Sequence, residues 1–240
     1  MSSKSSGPPA PRLAGIRARW LSAATAALHD DPLVVGAALV GSLGTGRADD
    51  WSDVDLLIVV EDAHLNDYAI PGRLPNGPGR PAFAIDARHN GPRGTRAVSA
   101  QYVVEGLPLW VDWHIHPVSL ASWPSDSNVI FDRRDISRIS VTFSEYVNSG
   151  QHESATPKSA DDQQAMRLAL VPIAGKQLAR RSPETARTIE FLGGTYAQDG
   201  DWKDHLAALR QLLDRFATLG LTDSHSAGQA YIEFLEKTLR

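Results

Sequence analysis

Hydrophobic and polar positions divide the chain into two regimes. From Arg12 to His29, the residues Leu13, Ile16, Trp20, Leu21, Ala24 and Leu28 recur in steps of three and four, which predicts an amphipathic helix. Asp31-Pro32 ends that pattern. Leu33 to Val40 and Val54 to Val60 are continuous apolar runs, as expected of strands covered on both faces. The polar, Gly-containing stretch Gly41 to Ser52 connects them. A short helix is expected over Ala63 to Ile70. Pro71 to Gly94 gathers Gly and Pro around one candidate strand, Ala82 to Ala87. A connection of that length predicts a lid or substrate-facing loop. Ala97 to Glu105 and Leu109 to His116 read as strands joined by a hairpin at Gly106-Leu107-Pro108. Asn128 to Phe131 adds a short strand.

Beyond the Ser/Gly/Thr/Pro-containing segment Asn148 to Ser159, strand signals stop. Helical periodicity runs over Asp161–Arg181, Pro183–Tyr196, Asp201–Leu219 and Ser226–Leu239. Ser182-Pro183-Glu184 and Asp223-Ser224 supply helix-start punctuation. The expected organisation is a leader over 1–11, a mixed α/β domain over 12–147, a linker over 148–160 and a helical domain over 161–240. The fold class is therefore α+β, a mixed sheet with flanking helices followed by a C-terminal helical domain.

Composition narrows the functions this organisation can serve. Hydrophobic residues make up 42% and charged residues 22%, a globular balance that excludes a wholly disordered chain. The formal charge of −4 argues against a nucleic-acid partner, since such binders carry a basic surplus. With no cysteine, there is no disulfide framework, thiolate zinc site or cysteine nucleophile. No apolar run reaches the roughly eighteen residues of a membrane span, so no membrane role is expected. The Ser/Pro-rich start, Met1 to Pro11, lacks the apolar core of a secretory signal. It reads as a disordered leader on a cytoplasmic protein.

Candidate chemistry is concentrated around Val40-Gly41-Ser42 and, after a gap of ten residues, Asp53-Val54-Asp55-Leu56. Residues i and i+2 of a strand share a face, so Asp53 and Asp55 project together from the start of an apolar strand. Two parallel carboxylates raise each other's pKa unless a cation lies between them. Hard oxygen ligands of this kind suit Mg²⁺ or Mn²⁺. Gly41 lets backbone approach a phosphate closely, and the Ser42 hydroxyl can donate to it.

With the later acidic strand Leu109-Trp110-Val111-Asp112, these residues resemble the signature of the nucleotidyltransferase (DNA polymerase β-like) superfamily. That signature is a hydrophobic-Gly-Gly/Ser step, a gap, then Asp-hydrophobic-Asp/Glu-hydrophobic. The added helical domain is similar to small aminoglycoside and lincosamide nucleotidyltransferases. The resemblance implies that Asp53, Asp55 and Asp112 hold one or two Mg²⁺ (or Mn²⁺) ions, with Asp112 also a candidate base. It implies that Gly41 and Ser42 contact the phosphates of ATP or another nucleoside triphosphate, assisted by Lys176 from the helical domain. The implied reaction moves a nucleoside monophosphate, AMP from ATP foremost, onto a hydroxyl of a small molecule such as an aminoglycoside or lincosamide antibiotic. The alternatives are a toxin-antitoxin-type enzyme modifying protein or tRNA, and a catalytically silent binding module of the same fold.

Secondary candidates surround this core. Arg180 lies four residues beyond Lys176 and shares its helix face. Arg47 follows Ser42 in the loop and competes for phosphate. Glu105, read as part of the facing strand, competes with Asp112 for the base. His114 and His116 alternate on Asp112's strand face, either as acceptor-pocket lining or as two ligands of a zinc site with no further ligand set in view. Trp51, Trp110 and Trp113 read as packing residues. A polycationic acceptor would call for extra acids facing the cleft, with Glu105, Glu184 and Glu190 as candidates.

Overall fold

A computed structural model describes residues 7–69, 74, 79–148, 159–217 and 221–240. Residues 1–6 of the expected leader, 71–73 and 75–78 of the expected lid, 149–158 of the expected linker, and the last residues of two expected helices, 70 and 218–219, lie outside the described residues. In α1 (Pro11–Asp30), a proline in the first turn starts the helix, and Ile16, Trp20, Ala24 and Leu28 form its buried stripe. Asp31 then turns the chain, accepting bonds from the Leu33 N–H at 2.9 Å and the Tyr68 hydroxyl at 2.6 Å.

The apolar runs of the N-terminal half become β1 (Val34–Leu39), β2 (Val54–Val60), β3 (Phe83–Asp86), β4 (Arg96–Val104), β5 (Leu107–Pro117) and β6 (Asn128–Asp132). They form one six-stranded sheet in the order β3-β4-β5-β2-β1-β6. β2 and β5 pair in parallel, and the other neighbours are antiparallel. The parallel pair at the centre explains the continuous apolar run of β2, because both of its faces are covered. Leu56, Ile58, Trp113 and Ile115 pack with Trp20, Ala24 and Leu28 of α1 on one side. Leu57 and Val59 pack with Val35, Ala38 and Trp123 on the other.

Three local expectations change. The hairpin turns on Glu105 and Gly106, both at positive φ (52° and 77°), the two-residue geometry that matches strand twist. Leu107 and Pro108 already belong to β5. The helix expected from Ala63 is a 3₁₀ turn at Asp62–His64 followed by the four-residue α3 (Leu65–Tyr68). A helix that the hydrophobic pattern does not announce, α4 (Phe143–Asn148), covers part of the sheet.

The C-terminal half is helical: α5 (Ala160–Ala179), α6 (Glu184–Phe191), α7 (Trp202–Phe216) and α8 (Thr222–Leu239). Ser159 caps α5, accepting from the Asp162 N–H, and Asp201 and Asp204 form a reciprocal capping box on α7. Asp223-Ser224 lies inside the first turn of α8 and not ahead of it. The apolar core of these helices also takes in Ile16, Trp51 and Leu107, so N-terminal side chains complete it. Among the described residues no helix is long and apolar enough to cross a membrane. The molecule is thus an α+β fold with a mixed sheet, flanking helices and C-terminal helices.

Candidate active site

The short helix α2 (Gly41–Gly44) follows β1 directly. Gly41 has φ +60°, and a Cβ there would run into the Asp55 carboxylate. Both facts require glycine, and together they bring backbone against the acidic pair. Asp53 immediately precedes β2, and Asp55 is its second residue. In the parallel pair, Asp55 stands opposite Asp112 of β5, while on β5's other flank Ser99 of β4 is Asp112's antiparallel partner. Equal register puts Asp55, Asp112 and Ser99 on one face, so the later acidic strand does lie beside the first pair.

Asp112 is held by one oxygen. Its Oδ1 accepts from the Ser99 hydroxyl at 2.5 Å and from the Trp110 indole N–H at 3.2 Å. Burial pushes its carboxyl up to about 6, against the pull of the Ser99 bond and with the Asp53 charge adding to the rise. Trp110 is therefore more than a packing residue, whereas Trp51 and Trp113 are buried at 3% and 0% exposure, as expected.

Asp53 is ion-paired with Lys176 of α5, and Arg180, which caps the C-terminus of α5, pairs with Asp49. Burial alone would raise Asp49, but the bonds from Arg180 and Ser52 hold its carboxyl below the usual range. Arg17 of α1 fixes the same loop from beneath. Its guanidinium donates to the carbonyls of Asp49 at 2.9 Å, Asp50 at 3.3 Å and Ser52 at 2.9 Å. Gly41, Ser42, Arg47, Asp49, Ser52, Asp53, Asp55, Lys176 and Arg180 line a single cleft of about 350 Å³.

Gly41, Ser42, Asp53, Asp55 and Lys176 thus border one cleft; Asp112 is not among its lining residues and stands beside Asp55 in the strand register. Among the described residues, no three His, Asp or Glu side chains form a ready-made metal cage; Lys176 occupies the Asp53 carboxylate. The donor set nevertheless fits a hard divalent cation. It offers two carboxylates in register, a third beside them, and one whose ionisation is opposed by burial until positive charge arrives.

Three expectations fail here. Glu105 sits at the exposed hairpin tip, with Arg19 at 2.6 Å, so it is not on the strand facing Asp112 and cannot replace it as base. His114 and His116 do share Asp112's face, but they are buried under α4, with ring centroids 4.8 Å from Phe143 and 5.6 Å from Tyr146. Burial lowers His114 to about 4 and, with His114's help, His116 to about 3. Neither lines the cleft. Glu184 is exposed beside Arg187, and Glu190 is exposed on α6; neither they nor Glu105 line the cleft, whose one acid beyond Asp53 and Asp55 is Asp49.

Sequence reasoning misses Ser99, Arg17 and the Asp49–Arg180 pair. Ser99 carries no signal until the strand register is known. Arg17 does leave a trace, because Ile16-Arg17 places a cation at the border of a helix's apolar stripe.

Residues 22–135 match the model of the nucleotidyltransferase domain. No curated protein matches the chain. Among solved structures, the STING-associated CdnE c-di-GMP synthase from Capnocytophaga granulosa aligns at 11% identity, over 95% of this chain and 81% of that chain, with a TM-score of 0.32. That overlap is too loose to carry substrate or detailed topology. The matched span contains Gly41-Ser42, Asp53-Val54-Asp55 and Asp112 in their observed register, and through it the chain carries a nucleotidyltransferase domain.

Proposed function

We propose that the enzyme transfers a nucleoside monophosphate, AMP from ATP foremost, to a hydroxyl of a small acceptor in a reaction that needs Mg²⁺ or Mn²⁺. The observation that supports this reading is the Asp55–Asp112 register, which sets a buried carboxylate beside Asp55, itself in the lining of a cleft with Gly41, Ser42 and Lys176.

In this reading Asp53, Asp55 and Asp112 hold the cation, which when bound neutralises the charge that builds on the transferring and leaving phosphate oxygens. Gly41 lets the α2 backbone approach the triphosphate, and Ser42 donates to it. Lys176 leaves Asp53 for the phosphates. Asp112 accepts the proton of the acceptor hydroxyl as its oxygen bonds to the α-phosphorus and the bond to pyrophosphate breaks. The ionised form is required for that step; burial opposes it in the metal-free protein, and the bound cation would favour it.

A small hydroxylated acceptor, of the aminoglycoside or lincosamide kind, is the class favoured by the helical C-terminal half. Attraction for a cationic acceptor then comes from Asp49, Asp53 and Asp55 alone, because Glu105, Glu184 and Glu190 lie elsewhere. The test incubates the protein with each nucleoside triphosphate, Mg²⁺ and a panel of hydroxyl acceptors, reading pyrophosphate release and product mass. Transfer that disappears in Asp53→Asn supports the reading. Equal transfer by wild type and Asp53→Asn overturns it.

A further inference from the structure

Asp112 is oriented by two neighbours that no motif marks. An oxygen of a carboxylate offers two lone pairs, and Oδ1 of Asp112 uses both. One accepts from Ser99 across the β4–β5 pair, and the other from Trp110 two residues earlier on the same strand. Ser99 is 6% exposed, so water has little access from its side to take over that bond. The two donors arrive from different strands, which fixes the side-chain rotation of Asp112 and leaves Oδ2 as its working oxygen.

We propose that Ser99 and Trp110 are positioning residues for Asp112, holding it by Oδ1 so that Oδ2 is presented to the divalent cation and the acceptor hydroxyl. The inference rests on the metal-dependent reading above and adds residues and a working oxygen that this reading lacks. The arrangement is ready before a cation arrives, while Asp53 is still engaged by Lys176. Asp112 is therefore the prepared member of the acidic set, and Asp53 the member that must change partners. Hydrogen bonds that orient a ligating carboxylate carry about 10- to 100-fold in metal affinity or activity.

The experiment measures Mn²⁺ binding to the full chain by the loss of the free-ion electron paramagnetic resonance signal. Proteins compared are wild type, Ser99→Ala, Ser99→Thr, Trp110→Phe and Asp53→Asn, each with its melting temperature. Ser99→Ala is expected to weaken Mn²⁺ about 10- to 100-fold; Ser99→Thr, which keeps the hydroxyl, restores most of it. Trp110→Phe, which loses the longer bond, weakens it less. With ATP as substrate, kcat falls in Ser99→Ala while the KM for ATP stays near wild type, because the phosphate contacts are untouched.

If Ser99→Ala binds Mn²⁺ within twofold of wild type while Asp53→Asn loses it, the positioning role is overturned and the metal reading stands. If Asp53→Asn also binds like wild type, the metal reading falls and takes this inference with it. Should Ser99→Ala melt too low to assay, Trp110→Phe decides: wild-type Mn²⁺ affinity there overturns the dyad.

Discussion

Lys176, on a helix of the C-terminal half, is ion-paired with Asp53 at the entrance of β2, 123 residues earlier in the chain. The pair is sheltered, with the lysine side chain 12% exposed and the aspartate 28%. It joins the two halves of the molecule at the point where the candidate chemistry is concentrated. A cation and a triphosphate arriving together can separate the pair at little cost, since each partner then gains a new counter-charge.

Replacing Lys176 by methionine therefore has two expected effects. Without nucleotide, Asp53 loses its partner in a half-buried site, and stability falls by about 1–2 kcal/mol. With nucleotide, the KM for the triphosphate rises about 10- to 100-fold, the worth of a charge-assisted hydrogen bond. Denaturant unfolding and steady-state kinetics check the two separately. A destabilised protein with unchanged KM would confine Lys176 to a structural role.

Asp53→Asn and Asp55→Asn are expected to lower transfer by at least about 1,000-fold, because a neutral amide cannot balance a divalent ion. Their effects on the metal-free fold differ. Asp53→Asn forfeits the Lys176 pair and melts slightly below wild type, whereas simple repulsion between neighbouring carboxylates would have raised the melting point. Calorimetry with and without Mg²⁺ separates the cases. Turnover near wild type in either variant would remove that residue from the metal set.

Much of this site is legible in the amino-acid sequence, and the reason is local. Gly41-Ser42 and Asp53-Val54-Asp55 combine a backbone requirement with a strand's period of two, and both are written in short stretches of chain. Asp112 is legible as an acid on an apolar strand. Its place beside Asp55 depends on a parallel pairing that joins positions 57 residues apart, and Ser99's place beside it depends on the register of the antiparallel β4–β5 hairpin. Glu105 is misplaced by pattern for a related reason: a strand signal continues until a turn stops it, and a two-residue turn with both φ positive is marked here only by Gly106. His114 and His116 are open to misreading because α4, six residues long, is too short to show periodicity, and its covering of the strand is invisible without tertiary contacts.

The two buried histidines give a pH prediction whose sign is fixed by their direction of shift. Both carry folded-state values below the ordinary 6.5, at about 4 and about 3. Below pH 6.5 the unfolded chain binds protons that the folded chain refuses, so stability falls as pH drops from 6.5 toward 4. Each histidine contributes a slope of up to about 1.4 kcal/mol per pH unit in that window. His116→Leu should flatten the curve by about one proton's worth. An unchanged slope in urea midpoints between pH 6.5 and 4 would show that His116 is hydrated or already paired in the folded state.

Asp112 has the opposite linkage, and the consequence is a variant more stable than the natural chain. Burial raises its carboxyl from 3.8 to about 6 in the folded state. At pH 7 both states are ionised, and the folded one carries the penalty of a buried charge. The rise from 3.8 to about 6 corresponds to at most about 3 kcal/mol. As pH falls through 6 the folded carboxyl takes up a proton that the unfolded one refuses until about 4, and the penalty disappears. Asp112→Asn, which cannot ionise, should therefore exceed wild type in metal-free stability at pH 7, with the advantage shrinking through pH 6 and gone near pH 4. Other carboxylates titrate alike in both proteins, so the difference between the two curves isolates this group. Mg²⁺ should reverse the order at pH 7, since bound cation stabilises only the protein that retains the carboxylate. If the two curves stay parallel from pH 7 to pH 4, Asp112 is not a strained carboxylate, and its role as the prepared base and ligand of the site loses its physical basis.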